Sequence, residues 1–370
     1  MVRAKKSVEK LVPYISGKNT SYLFEHSTKV MKLDSNELSI TPSPRVSAVL
    51  VEFVQKYPLN WYPDISCTTL HEKLAEYVKY PTSFIQTFNG SDHGLETICK
   101  AYLEPGDEVV IAMPTYDHFR VYAQACDATI KPVFGDTLTL PSIDKLIEAI
   151  TEKAKIIYIV NPLTQSLYSK ENIETLLKTA SKSLVIVDEA YFEFCNATVA
   201  CLIKNHPHLI ISRSFSKAFG LAGLRCGYLL AQPETMAPIN KVRLGKINSL
   251  TQVAACAALD DVEYTERSVF EIKTAREWIT PKLKNLGLFV VDTMANYLFV
   301  EVAKPLEVAR FLEKHDVFIR SGLTNMDGFL RITIGHQLLM ERFWQEFKKI
   351  PAELLYSQTQ VQAQGRTGSV

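Results

Sequence analysis

One lysine in this chain has the neighbours that amine chemistry needs. Lys217 lies in the run Ser212-Arg-Ser-Phe-Ser-Lys217, directly after the apolar Leu209-Ile-Ile211, and Gly220-Leu-Ala-Gly-Leu-Arg225 and Gly227 follow. A lysine that attacks a carbonyl must give up its proton readily, and burial with nearby cations lowers its pKa. A second apolar run, Leu184-Val-Ile-Val187, is followed by Asp188-Glu-Ala-Tyr191, and a third, Lys155–Val160, by Asn161-Pro162. The run Glu108–Met113 ends in Pro114-Thr-Tyr116, and Asn89-Gly-Ser-Asp92 precedes a helical stretch. In an open α/β sheet ligands bind beyond the carboxyl ends of the strands, which is where all of these residues fall.

Together they meet the requirements of one cofactor, pyridoxal 5'-phosphate (PLP). Its aldehyde needs a lysine amine, its ring nitrogen needs a facing carboxylate, and its phosphate needs N–H groups at a helix start, hydroxyls and a cation. Lys217 is the candidate for the Schiff base and Asp188 for the ring nitrogen, with Tyr191 three residues on, near the ring hydroxyl. Ser214, Ser216 and Arg225, with the N–H groups of Gly90, Ser91 and Asp92, are the candidates for the phosphate, and Tyr116 offers an aromatic face to the ring. The plainer readings are Asp188 as a helix N-cap, Tyr116 as a packing residue and Arg225 in a structural ion pair.

The elements that must hold these residues are legible in the periodicity. Helical patterns run from Arg45 to about Gln55 and from Cys67 to Tyr77, around an aromatic turn, Tyr57-Pro-Leu-Asn-Trp-Tyr-Pro63. From Phe84 short apolar runs alternate with amphipathic helices. Runs that are apolar on both faces predict parallel strands covered on each side. Ser169 is the expected N-cap of a helix reaching Ala180. Beyond Ser249 the texture is helical, with short strands at Tyr297–Val300, Val317–Ile319 and Leu330–Ile334. The expected fold is α/β, a large doubly wound mixed or parallel sheet domain with a small α+β domain. Its divisions are residues 1–44 as an arm and part of the small domain, 45–250 as the large cofactor-binding domain, 251–352 as the small domain, and 353–370 as a disordered tail.

Composition narrows the class. The 370 residues carry 41 basic and 40 acidic side chains, so nothing marks a nucleic-acid or anionic-membrane partner. No run is long and apolar enough for a membrane span, and the amino terminus has no signal-peptide core. Seven cysteines without CxxC spacing read as reduced thiols in a cytoplasmic compartment, and the eight histidines show no metal spacing, so no metal is expected. No GxGxxG follows a strand, which ranks a dinucleotide-binding protein low.

The run Ser214-Phe-Ser-Lys-Ala-Phe-Gly-Leu-Ala-Gly-Leu-Arg-Cys-Gly227 resembles the lysine motif of fold type I, class I/II aminotransferases, most of all the histidinol-phosphate aminotransferases. Val187-Asp-Glu-Ala-Tyr-Phe-Glu-Phe194 is similar to their aspartate motif, and Lys32–Glu37, Trp61–Pro63, Asn89–Asp92 and Leu330–Gly335 follow in the family's order, so the resemblance spans about Leu11 to Lys349. It implies PLP, a small-molecule amino donor and a 2-oxo acid acceptor, and a homodimer in which Tyr62 reaches the partner's cofactor phosphate. It also implies that Arg331 grips the substrate's anion, with Asn36 nearby, Arg320 as a second cation and Tyr14 over the substrate. Where the family has Asn-Asn-Pro-Thr-Gly, this chain has Asn161-Pro-Leu-Thr-Gln-Ser-Leu-Tyr168. Thr164 stands in the place of the asparagine that bonds the ring oxygen, and Leu167 in that of the glycine. The expected activity is transamination of an amino acid or a histidinol-phosphate-like amino-phosphate. The altered loop motivates the alternative, decarboxylase or lyase chemistry on the same fold.

Overall fold

The structure is a computed structural model describing residues 2–14, 29–136 and 139–356. In chain order its strands are Met31–Leu33 (β1), Ile85–Phe88 (β2), Glu108–Met113 (β3), Thr129–Phe134 (β4), Ala154–Val160 (β5) and Leu184–Asp188 (β6). Leu209–Ser214 (β7), Gly227–Leu230 (β8), Val290–Val291 (β9), Tyr297–Glu301 (β10), Val317–Ile319 (β11) and Phe329–Thr333 (β12) complete them. The helices that matter to the argument are Pro44–Lys56 (α1), Thr68–Val78 (α2), Ser91–Tyr102 (α3), His118–Ala125 (α4) and Lys170–Thr179 (α5). They continue with Pro233–Val242 (α6), Ser249–Leu259 (α7), Val262–Asn285 (α8), Pro305–Glu313 (α9) and Gln337–Phe347 (α10).

The chain divides into two compact units, Met1–Tyr14 with Thr41–Glu266, and Ile15–Ile40 with Arg267–Val370. The first unit is built on a seven-stranded sheet of order β2-β8-β7-β6-β5-β3-β4. Pairs β3/β4, β3/β5, β5/β6 and β6/β7 are parallel, while β8 runs antiparallel to both β7 and β2.

Strand alternation explains why both faces are apolar. Along β5, Ile157 and Ile159 enter one core with α2, α5 and α7, whereas Ile156, Tyr158 and Val160 enter the opposite core with α3, α4 and α6. Each strand thus feeds two hydrophobic layers, which is the physical content of a doubly wound sheet. Strands β2 and β8, four residues each, were not legible in the sequence. Neither has the length to show a period, and β8 lies inside the lysine motif. Ser169 does cap α5, accepting from Asn172 N while the Asn172 side chain bonds back to Ser169 N.

Three boundaries differ from expectation. Met1–Tyr14 and residues 41–44 fall in the first unit rather than with the arm and small domain. The first unit extends to Glu266 rather than 250, because α7 buries Ala254, Ala255, Ala257 and Ala258 in the same core as Cys67, Leu70 and Leu74. Residues 353–356, expected in the tail, are structured. Ala352–Leu355 is a short helix whose Leu354 and Leu355 carbonyls accept from Lys304 N and Ala303 N, and residues 357–370 lie outside the described residues.

The second unit holds a parallel pair, β1/β11, and an antiparallel sheet of order β12-β10-β9. Phe343 and Phe347 of α10 and Leu298 and Ile332 of the sheet are fully buried there. Arg320 and Arg331 form an isolated antiparallel bridge between β11 and β12.

Candidate active site

The first unit gathers its polar residues at the carboxyl ends of β5, β6 and β7. Asp188 is the last residue of β6, paired in register with Val160 on one side and Ser212 on the other. Alternation puts Leu184, Ile186 and Asp188 on one face, so the carboxylate continues an apolar row. It is buried, and it accepts from the Tyr158 hydroxyl at 2.7 Å (Oδ2) and from Ala190 N at 3.1 Å (Oδ1). Burial pushes its pKa up to about 7, against the pull of the Tyr158 and Ala190 hydrogen bonds. Among the described residues no Lys or Arg forms a salt bridge with it. Asp188 therefore ends a strand and is no helix N-cap.

Strand β7 runs to Ser214, three residues past the expected end at Ile211. The loop after it is tied to itself: Phe215 N bonds Cys226 O, Leu221 N bonds Phe215 O, and Gly220 N bonds Lys217 O. Phe215 is fully buried against Phe219, with ring centroids 4.7 Å apart. This anchor holds Lys217, which is partly exposed, with Nζ 5.9 Å from the centre of the Tyr191 ring. Tyr191 itself is buried just beyond β6.

The same loop returns Arg225 toward the start of α3. Its guanidinium donates to Asp92 Oδ2 at 3.0 Å, to Ser216 Oγ at 3.4 Å and to Ala222 O at 3.2 Å. Ser214 Oγ accepts from Ser216 N at 3.0 Å. Gly90 is the N-cap of α3, with φ +84° and no side chain to cap the first N–H groups. A Cβ there would lie 2.4 Å from Arg225 Nη2, and one on Gly227 would lie 2.2 Å from Ser91 N. Two glycines thus let an uncapped helix start, a guanidinium and two serine hydroxyls converge. Such a grouping of donors is chemically able to cradle an anion. Arg225 also has the structural partner of the plainer reading, Asp92.

Asp92 does more than present its N–H, because its Oδ1 accepts from the Tyr116 hydroxyl at 3.1 Å. Tyr14 stacks on His118, with centroids 4.6 Å apart, and lies 6.2 Å from Tyr116. His118 stacks in turn on Tyr122 at 4.7 Å. Thr164 is buried, and its hydroxyl accepts from Ser166 N at 3.4 Å. The 161–168 loop takes its path without the usual glycine because Asn161 clamps it: Nδ2 donates to Tyr168 O and Oδ1 accepts from Tyr168 N, both at 3.1 Å. Tyr62 is 79% exposed, its ring under Lys246 Nζ at 3.7 Å.

Asn36, Arg320 and Arg331 belong to the second unit. Asn36 is buried with φ +54°; its N and Oδ1 both bond Thr333 Oγ1 at 3.0 Å, and its carbonyl accepts from Asn296. Arg331 donates to Asp34 O at 2.8 Å and lies 5.8 Å from the Tyr297 ring centre, while its Nε is buried without a hydrogen-bond partner. Arg320 and Arg331 exchange backbone hydrogen bonds of 3.0 and 2.8 Å, so they are directly opposed and their side chains leave the same face.

Sequence reasoning missed Tyr158, Ser212 and His118. Tyr158 carried a signal, as the one hydroxyl in the strand Ala154–Val160, where a buried phenol needs an acceptor. Ser212, whose buried Oγ has no partner, and His118 gave none.

The residues in the first unit meet the demands of a phosphate-bearing heterocyclic aldehyde. A buried carboxylate without a cation suits a charged ring nitrogen, an amine stands on a neighbouring strand's loop, and the cradle suits a phosphate. Comparison with known proteins agrees. A dihydroxyacetone phosphate transaminase of Campylobacter jejuni is 36% identical over 345 residues, covering 90% of this chain and 93% of that protein. A histidinol-phosphate aminotransferase of Carboxydothermus hydrogenoformans is 33% identical, covering 95% and 99%. The crystal structure of histidinol-phosphate aminotransferase from Sinorhizobium meliloti in complex with pyridoxal-5'-phosphate superposes with a TM-score of 0.83 at 23% identity, covering 95% of this chain and 99% of that one. Residues 28–345 match the family described as aminotransferase class I and II, and the chain belongs to that family.

Proposed function

We propose that the chain is a PLP-dependent aminotransferase that moves an amino group between a small phosphate-bearing amine, of the histidinol-phosphate kind, and a 2-oxo acid. One observation carries the substrate class. Arg331 has a buried Nε without a partner and shares a face with Arg320. A buried guanidinium N–H left unpaired costs stability unless an anion satisfies it, and two adjacent cations suit a phosphate dianion better than a carboxylate. The names of both relatives carry a phosphate substrate, which supports this reading. A dihydroxyacetone-phosphate-like partner is the second reading, motivated by the 36% identical relative.

When bound, PLP supplies an electron sink and a carrier for the amino group. Lys217 Nζ would hold the cofactor and serve as the base that takes the proton from the substrate's amine-bearing carbon. Asp188 would pair with the ring nitrogen, and Tyr191 and Thr164 would supply hydroxyls to the ring oxygen. Tyr116 would offer its face to the ring. Gly90, Ser91, Asp92, Ser214, Ser216 and Arg225 would hold the phosphate, with Tyr62 from a second copy of the chain. Tyr14 and Asn36 orient the substrate. The homodimer and a cytoplasmic location belong to the same reading, the latter supported by seven cysteines of which none is in a disulfide.

Visible spectra of the purified protein with a panel of amines, without an acceptor, test this. Histidinol phosphate should shift the cofactor absorbance at lower concentration than histidinol, and Arg331→Gln should erase that preference while sparing PLP binding. Lys217→Ala should lower turnover at least about 10²–10⁴-fold, the range of general acid–base contributions. A protein that responds to no amine, or responds equally to both histidinols, overturns the reading.

A further inference from the structure

Strand β5 places one phenol inside an aliphatic layer. Tyr158 is fully buried, and its ring stacks on Phe119 of α4 with centroids 3.9 Å apart and planes 17° apart. That packing fixes where the hydroxyl points. It points at Asp188 Oδ2, 2.7 Å away, across the β5/β6 register in which Val160 pairs with Asp188. The other carboxylate oxygen takes the Ala190 N–H. Each oxygen thus has one protein donor, and the carboxylate plane is set by two elements.

We infer that Tyr158 is a positioning residue, whose hydroxyl orients the Asp188 carboxylate and keeps it anionic toward the cofactor's ring nitrogen. The inference rests on the role given above to Asp188. The charged and titratable groups around that carboxylate make the hydrogen bond consequential. Asp92, on α3, and Glu189, the next residue, both oppose its ionisation, as burial does more strongly. Tyr158 is the foremost influence in the other direction. Tyr191 and Lys217 follow β6 and β7, and Ser212, in register on β7, has a buried hydroxyl without a partner. With Asp188 pushed up to about 7, loss of the Tyr158 donor shifts its charge toward the neutral form near neutrality.

The sign follows. PLP with a protonated ring nitrogen is held by ionised Asp188, so its affinity falls as pH drops through the carboxyl's pKa. Removing the Tyr158 donor raises that pKa, so the fall begins at higher pH. The test is the dissociation constant of PLP for the apoenzyme, followed by fluorescence between about pH 5.5 and 9, a span that brackets the carboxyl's shifted range. In Tyr158→Phe the constant at neutral pH should rise about tenfold, in keeping with loss of a hydrogen bond to a charged group, and the acid limb should move up by about one pH unit. Site-specific 3-fluorotyrosine at 158, a stronger donor, should move the limb down, and it carries the test if Tyr158→Phe does not fold. Asp188→Asn should flatten the limb. If Asp188→Asn leaves affinity and limb unchanged, the reading of Asp188 fails. If Asp188→Asn changes both and neither Tyr158 variant does, the inference about Tyr158 alone is overturned.

Discussion

Two glycines govern how near the residues of the anion cradle can approach. Gly227 opens β8 with its Cα against the backbone of Ser91, and an added methyl would meet Ser91 N at 2.2 Å and Gly90 C at 2.6 Å. Neither atom can rotate away, because both belong to the start of α3. Gly227→Ala should therefore destabilise the apoprotein by about 1–3 kcal/mol, the usual cost of overpacking, and weaken PLP binding as the helix start retreats from Arg225. Gly223→Ala, in the same loop with nothing within 4 Å, should stay within about 0.5 kcal/mol. Urea unfolding of the two variants checks this, and equal losses would show that the close approach does not matter. The same scale explains Thr164. Its shorter side chain already accepts one local N–H, yet a hydroxyl still has a proton to donate.

Strands β6 and β7 are joined behind the site by a buried ion pair. Arg213 Nη2 and Nε reach Glu189 Oε2 at 2.8 and 3.0 Å, with both side chains almost wholly inaccessible to water. Thr198 and Val199 N complete the shell of the carboxylate, and Phe192 covers the guanidinium at 3.7 Å. Such a pair is weak evidence of net stabilisation, but breaking it strands a buried charge. Arg213→Met should cost about 3–5 kcal/mol in chemical unfolding, and adding Glu189→Gln should recover part of that. A single variant as stable as the wild type would mean that water reaches the carboxylate. Because Glu189 and Arg213 are one residue from Asp188 and Ser214, the pair fixes the strand ends from which the site residues project.

For the whole molecule, the segment carrying Tyr62 asks for a second copy. Leu59, Trp61, Tyr62 and Ile65 are exposed, Trp61 at 73%, more apolar surface in one short segment than a solvated loop needs. The proposed homodimer accounts for it and makes a specific forecast. Tyr62→Phe should weaken PLP binding several-fold, and so should Arg225→Gln. Hybrid dimers carrying one change on each subunit should contain one site with neither change and one with both. Titration of affinity-separated hybrids with PLP should then resolve a tight and a weak class of equal size. Two equal sites of intermediate affinity would place Tyr62 in its own subunit's site and sink the shared-site proposal.

The amino-acid sequence by itself determined which residues are candidates for chemistry and which layers carry them. Lys217, Asp188, the serines and Arg225 stand after apolar runs whose two-sided hydrophobicity allows only a covered sheet, and that pattern is local enough to read along the chain. It could not show the antiparallel insertion of β8, since four residues carry no period, nor that Asp188 and Tyr158, thirty positions apart, share a hydrogen bond. It also could not show that Gly90 and Gly227 meet, or that Arg320 and Arg331 emerge side by side. Register, close approach and burial belong to pairs of segments, and the charge a buried carboxylate carries depends on all that surrounds it. Only the tertiary fold decides those, because each is an energy between elements that the chain brings together from a distance.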